Sequence, residues 1–209
     1  MKIYCATTNP GKLREFRQAI GRFGEGRIEV EPLPELSRIP ACEETGETFE
    51  ANAVQKAVYY SGFAAAPVFV DDSGLEVAAL GGAPGVFSAR FAGPDAGDEA
   101  NNRLLLEKLG GVVDRAAQFV CVVALARGGE LIRTFRGVVE GRIVDAPRGA
   151  NGFGYDPLFF YEPFGCTFGE ASAAQKLSVS HRARALEQMV GYLKRTGLSG
   201  APADPGPRR

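Results

Sequence analysis

A chain of 209 residues that is 45% hydrophobic can bury one sizeable core, or one core shared by two lobes. Its formal net charge of −1 and pI near 6.0 exclude a strongly basic surface for duplex nucleic acid or an anionic membrane, yet leave room for a small anion held by local cations. No run approaches ~18 consecutive apolar residues and MKIYCATTNPGK has no apolar leader segment, so a soluble, cytoplasmic protein with no membrane or nucleic-acid partner is expected.

Residues 2–6 read as a first strand and 7–11 as a turn. Leu13, Phe16, Ile20 and Phe23 then recur at helical spacing. Pro32, Pro34 and Pro40 predict an irregular connection. Thr48 can cap a second helix with Phe49, Ala53, Ala57 and Tyr60 on one face. Residues 67–70 form a short apolar strand ending in Asp71-Asp72-Ser73-Gly74; 81–97 read as a loop, and 98–109 as a helix stopped by Gly110-Gly111. QFVCVVALA (118–126) is the strongest strand pattern, with a Gly128-Gly129 turn and a hairpin partner over 131–139. A short strand falls within 155–161, and a closing helix over 181–193 turns Leu186, Met189, Val190 and Leu193 inward. One domain over 1–197 and a flexible tail over 198–209 are expected. Strand–helix alternation followed by a hairpin predicts an α/β fold with a mixed β-sheet and flanking helices. Cys5, Cys42, Cys121 and Cys166 are far apart with no CxxC and read as free thiols.

Five stretches can carry chemistry. TTNPGK (7–12) offers hydroxyls, backbone N–H groups and a Lys at a helix start, which suits phosphate. It is not a Walker A loop, since Ala6 and Leu13 stand where that motif needs Gly and Ser or Thr; the plain alternative is a turn with a solvated Lys. In DDSG (71–74) adjacent carboxylates in an extended chain point to opposite sides, so one can face a cleft and hold Mg²⁺. EETGE (43–47) precedes a helix with Asn52 and Lys56 on one face, and Glu43 or Glu44 could complete a metal site or merely complement the helix dipole. GFGYD (152–156) brackets Phe153 with glycines that let the backbone approach a ligand; Phe153 can stack on a base and Asp156 can accept from a base edge. KLSVSHR (176–182) holds the sole histidine, His181, beside Arg182, with Ser180 as a helix cap. One His and scattered Cys argue for Mg²⁺ or Mn²⁺ on carboxylates rather than zinc.

In order along the chain, T-x-N-P-G-K, E-E-T-G-x-T-F-x-x-N-A-x-x-K-A, D-D-S-G-L, G-G-A-P-G-V-x-S-A-R, G-F-G-Y-D-P-L-F and K-x-x-x-S-H-R resemble the inosine triphosphate pyrophosphatase family, whose bacterial members are dITP/XTP pyrophosphatases. The resemblance implies an elongated mixed sheet with two lobes around a central nucleotide cleft, a homodimer, and Mg²⁺-dependent hydrolysis of ITP, dITP and XTP to monophosphate and pyrophosphate. By the same resemblance, Thr7, Thr8, Asn9, Pro10, Gly11 and Lys12 hold phosphates. Asp72 binds metal and serves as general base, and Glu43 is the second metal carboxylate, with Glu44 adjacent. Ser73 and Lys56 contact substrate, Phe153, Gly154, Tyr155, Asp156, Lys176, His181 and Arg182 surround the base, and Arg90 lies by the same cleft. Thr8 stands where the family often has Gly, so the loop must avoid a conformation only Gly tolerates. A pyrimidine-nucleotide pyrophosphatase of similar fold and a nucleotide sensor without turnover are the rival readings.

Overall fold

The computed structural model describes residues 1–198. Seven strands, β1 (Lys2–Cys5), β2 (Glu29–Pro32), β3 (Val68–Val77), β4 (Ala116–Arg127), β5 (Glu130–Ile143), β6 (Phe159–Tyr161) and β7 (Cys166–Thr167), form one open sheet in the order β2-β1-β3-β4-β5-β6-β7. β1 runs parallel to β2 and β3, and every pairing from β3 onward is antiparallel. The helices are α1 (Pro10–Gly24), α2 (Phe49–Ser61), α3 (Asp98–Lys108), α4 (Ala173–Val179) and α5 (His181–Thr196). The expected α/β fold with a mixed sheet and flanking helices is present.

Asn9 caps α1, its Oδ1 accepting from the Lys12 N–H at 3.0 Å, and Pro10 fills the first turn, where its missing N–H costs nothing. Thr48 and Ser180 cap α2 and α5 as the sequence predicts. α1 and α5 bury Phe16, Ile20, Leu186 and Met189 against Phe69, Cys121 and Leu125 on one sheet face. On the other face, α2 packs Phe49, Ala53 and Ala57 against Val68, Val70 and Val122. A third cluster of Leu75, Phe119, Phe159 and Phe168, joined by Leu105 of α3, fills the far end.

Several boundaries differ from the sequence reading. The strand expected to stop at Val70 continues to Val77, and each of its residues pairs with β4, from Val68 opposite Ala126 to Val77 opposite Ala117. Asp71 and Asp72 therefore lie inside a strand, tolerated there because helices on both faces supply cations. β2 forms where an irregular connection was expected; Pro32 ends it on the edge of the sheet, where a missing N–H breaks no ladder. α4 and β7 escaped periodicity because they are short, and α4 depends on a capping box between Ser172 and Gln175. The loop over 81–97 contains a 3₁₀ turn, Gly85–Arg90. All four cysteines are free. Leu198 packs against the core, and the rest of the expected tail, 199–209, lies outside the described residues. Among the described residues no helix is long and apolar enough to cross a membrane.

Phe69 is fully buried and meets Phe16 edge-on, ring centroids 5.1 Å apart. Phe69→Ala should cost ~3–5 kcal/mol, read as a lower urea midpoint. A loss below ~1 kcal/mol would contradict the packing described.

Candidate active site

Strand alternation sends Asp71 and Ser73 toward α1 and α5 and Asp72 toward α2. Asp71 accepts from Lys12 Nζ at 2.9 Å, from Ser73 Oγ at 2.9 Å and from Arg182 Nε at 3.2 Å. Burial opposes its ionisation, but the Lys12 and Arg182 charges outweigh this and hold the carboxyl well below the usual carboxylate range. Asp72 accepts from Lys56 Nζ at 2.8 Å, with the Asn52 amide at 3.4 Å. Burial lifts the Asp72 pKa above its ordinary 3.8, and the Lys56 ammonium offsets part of that rise. Burial pulls Lys56 down, yet Asp72 and Glu44 hold it above its ordinary value. Asn52 and Lys56 share one face of α2, as the spacing predicts, and both reach Asp72.

Of the adjacent Glu43 and Glu44, Glu44 is the one that lines the cleft beside Lys56. Its carboxylate lies 2.9 Å from Lys56 Nζ and 3.8 Å from Arg90 Nη1. Both residues are exposed, but Glu43 does not line the cleft, and its backbone carbonyl accepts from Cys42 Sγ. Consecutive residues on an irregular segment diverge, and only one of the two can turn inward.

Across the cleft, Asp156 accepts from Lys176 Nζ at 2.5 Å and from the Phe153 N–H at 2.9 Å. Gly152 has φ +77°, and a Cβ there would lie 1.9 Å from Asp156 Oδ2, so glycine is required for this turn to close. The Phe153 ring has Lys176 Nζ 4.9 Å and Arg182 Cζ 5.6 Å from its centroid. It also rests on Gly11 of the first loop, where a Cβ would come within 2.8 Å of the ring. The first and fourth motifs are therefore in contact. Tyr155 faces inward, its hydroxyl donating to the Ser88 carbonyl at 2.8 Å, which fixes the segment carrying Arg90. α3 engages both backbone groups of Gly154, through Asp98 and Asn102.

Glu15 of α1 was not singled out in the sequence. Its carboxylate binds Lys176 Nζ at 2.7 Å and pairs with Arg182 Nη1. Burial opposes its charge, but Arg182 and Lys176 hold its pKa below the ordinary 4.5. Nothing in LREF distinguishes such a glutamate from a solvated one. Only its one-turn spacing from Lys12, on a helix that starts at the loop, hints at a shared destination.

His181 stacks on Phe119 with centroids 4.8 Å apart and rings 13° from parallel. It is buried, and its Nδ1 has no partner among the described residues. Thr7 Oγ1 accepts from the Asn9 N–H at 3.2 Å, while Thr8 and Pro10 are exposed. Thr8 is not among the positive-φ residues, so its Cβ strains nothing. Asn9, Lys12, Glu44, Lys56, Asp72, Ser73, Phe153 to Asp156, Lys176, His181 and Arg182 line one cleft of about 240 Å³, open to solvent. Thr7, Thr8 and Pro10 do not line it.

Burial, then the Arg182 and Lys176 charges, keep the His181 pKa well below its ordinary 6.5. His181 is the only histidine, so its NMR signal needs no assignment. It should not titrate between about pH 8 and 6, and because the unfolded chain takes up that proton near 6.5, stability should fall as pH drops below this value. An imidazole titrating near 6.5 in the folded protein would contradict its burial.

The Ham1 family model matches residues 3–192. A dITP/XTP pyrophosphatase of Syntrophobacter fumaroxidans is 52% identical over 187 residues, covering 90% of this chain and 79% of the relative. One from Exiguobacterium sp. is 49% identical over 189 residues, covering 90% and 95%. The solved Ham1 protein of Staphylococcus aureus superposes with a TM-score of 0.82 at 40% identity, over 94% of this chain and all of that one. A structure titled nucleoside-triphosphatase / dITP/XTP pyrophosphatase, from Mycobacterium abscessus, gives 0.70 at 38% identity, over 92% of this chain and all of that one. With a family match over nearly all its length and close relatives covering nine-tenths of it, the chain belongs to the Ham1 family.

Proposed function

We infer that this chain hydrolyses the purine nucleoside triphosphates dITP, XTP and ITP at the α–β bond, releasing the monophosphate and pyrophosphate and so clearing deaminated purines. The observation that carries this is one cleft lined by Lys12, Lys56, the Asp72 and Glu44 carboxylates, the Phe153 ring, Lys176, His181 and Arg182. Such a lining suits a ligand that is polyanionic in one part and flat in another. The relatives' names supply the substrate class. A cytoplasmic homodimer is part of the same reading.

Glu44 and Asp72 would hold Mg²⁺, or Mn²⁺ in its place. The fit is supported by the Lys56 ammonium, a cation already seated between these oxygens at 2.9 and 2.8 Å. Two carboxylates suffice for Mg²⁺, an ion that takes one or two of them and completes its shell with phosphate and water. Once bound, it would polarise phosphoryl oxygens and neutralise charge. Lys12 and Lys56 add positive charge beside the phosphates. Burial raises the Asp72 pKa, which makes its carboxylate a better acceptor for the proton of the attacking water.

The base would stack on Phe153, worth roughly 1–3 kcal/mol and blind to base identity. Identity is read at position 6, where inosine and xanthosine present an acceptor. Lys176 and Arg182 are donors only. An adenine amino group facing them would leave buried donors unpaired, at ~1–3 kcal/mol each.

Asp72→Asn should lower turnover by about 10³-fold while leaving nucleotide affinity within a few-fold. Near-normal turnover would remove Asp72 from the chemistry. Phe153→Ala should weaken ITP binding about tenfold or more, in proportion to the lost stacking; unchanged affinity would place the base elsewhere. Phosphorus NMR of products should show pyrophosphate and inosine monophosphate, and a diphosphate with free phosphate would overturn α–β cleavage.

A further inference from the structure

Lys56 sits in a position that two functions require. Its ammonium is 2.9 Å from Glu44 Oε1 and 2.8 Å from Asp72 Oδ1, the carboxylates assigned above to the metal. Its side chain is only 11% exposed, so the pairing is shielded from water. An ammonium has three donors, and the carboxylates use two, leaving one toward the cleft that Lys56 lines. The rest of the site is balanced in the same way. Lys12 is paired with Asp71, Lys176 with Glu15 and Asp156, Arg182 with Glu15 and Asp71, and Arg90 approaches Glu44. Without ligand, each of these carboxylates has its cation.

We propose that Lys56 is a built-in counter-cation that occupies the metal position between Glu44 and Asp72 in the free protein, so that divalent metal binds well only when a triphosphate gives Lys56 somewhere else to go. The inference rests on the metal reading of Glu44 and Asp72. A divalent ion entering alone must displace the ammonium, which is then left partly buried without its anions, a strongly disfavoured arrangement. A triphosphate removes that cost by offering oxygens to the displaced ammonium. The long, flexible lysine stem makes the handover a side-chain movement rather than a backbone one. Metal and nucleotide are thereby coupled, each raising the affinity of the other. In the absence of nucleotide the metal site stays closed to free ions.

The test is a titration with Mn²⁺ alone, followed by electron paramagnetic resonance of the free ion, with no nucleotide present. Wild type should bind weakly. Lys56→Met and Lys56→Gln, which vacate the position with and without a polar group, should each bind Mn²⁺ about tenfold tighter or more. Adding Asp72→Asn to Lys56→Met should abolish the gain. Thermal unfolding identifies which of the two single variants is folded and can be read. If neither folded variant binds Mn²⁺ more tightly than wild type, while ITP hydrolysis by wild type is stopped by EDTA, the lysine is no barrier and this inference falls but the metal reading stands. If no variant binds Mn²⁺ and hydrolysis survives EDTA, the metal reading falls and takes the inference with it.

Discussion

Burying a carboxylate costs several kcal/mol unless a cation is buried with it, and β3 buries two in succession. Strand geometry sends them to opposite faces, so each face must bring its own partners. α1 and α5 bring Lys12 and Arg182 to Asp71, and α2 brings Lys56 to Asp72. The helices are otherwise docked by ordinary apolar packing against β3 and its neighbours. Removing one partner of such a pair leaves an uncompensated charge, which makes the arrangement far more demanding than its net contribution to stability suggests.

The same pairing extends across the cleft. Glu15 ties Lys176 to Arg182, and Asp156 ties Lys176 to the Phe153 turn. Asp71 therefore connects the loop that begins α1 with the N-terminus of α5, and Glu15 continues the chain to the Gly152–Asp156 turn. Phe153 closes the circuit by resting on Gly11. Elements far apart in sequence thus hold one another around the cleft, each of these cations anchored by a carboxylate.

Most of this was legible as motifs and little of it as partnerships. Helices with a clear apolar face, such as that of Phe16 and Ile20, and the QFVCVVALA strand were visible because burial imposes a period on them. DDSG read as the end of a strand because charge inside a strand contradicts the local pattern; what permits it, Lys12, Lys56 and Arg182, lies far away in sequence. Glu15 was missed for the same reason, since a helical glutamate has no local mark of burial. Glu43 and Glu44 could not be separated because an irregular segment has no period to say which side chain turns inward. Tyr155 belongs to the right motif, but its hydroxyl is engaged by Ser88, a contact no spacing reveals. β2, β7 and α4 are short elements that exist through their neighbours and their caps.

In the proposed reading one cleft combines metal and lysine contacts for phosphate with donors for the base. It is tested most directly by measuring pyrophosphate release from ITP, dITP, XTP and ATP, each with Mg²⁺ and with EDTA. Rapid, metal-dependent release from the first three and little from ATP, whose base has an amino donor at position 6, is expected. Comparable release from ATP, or release that persists in EDTA, would contradict it.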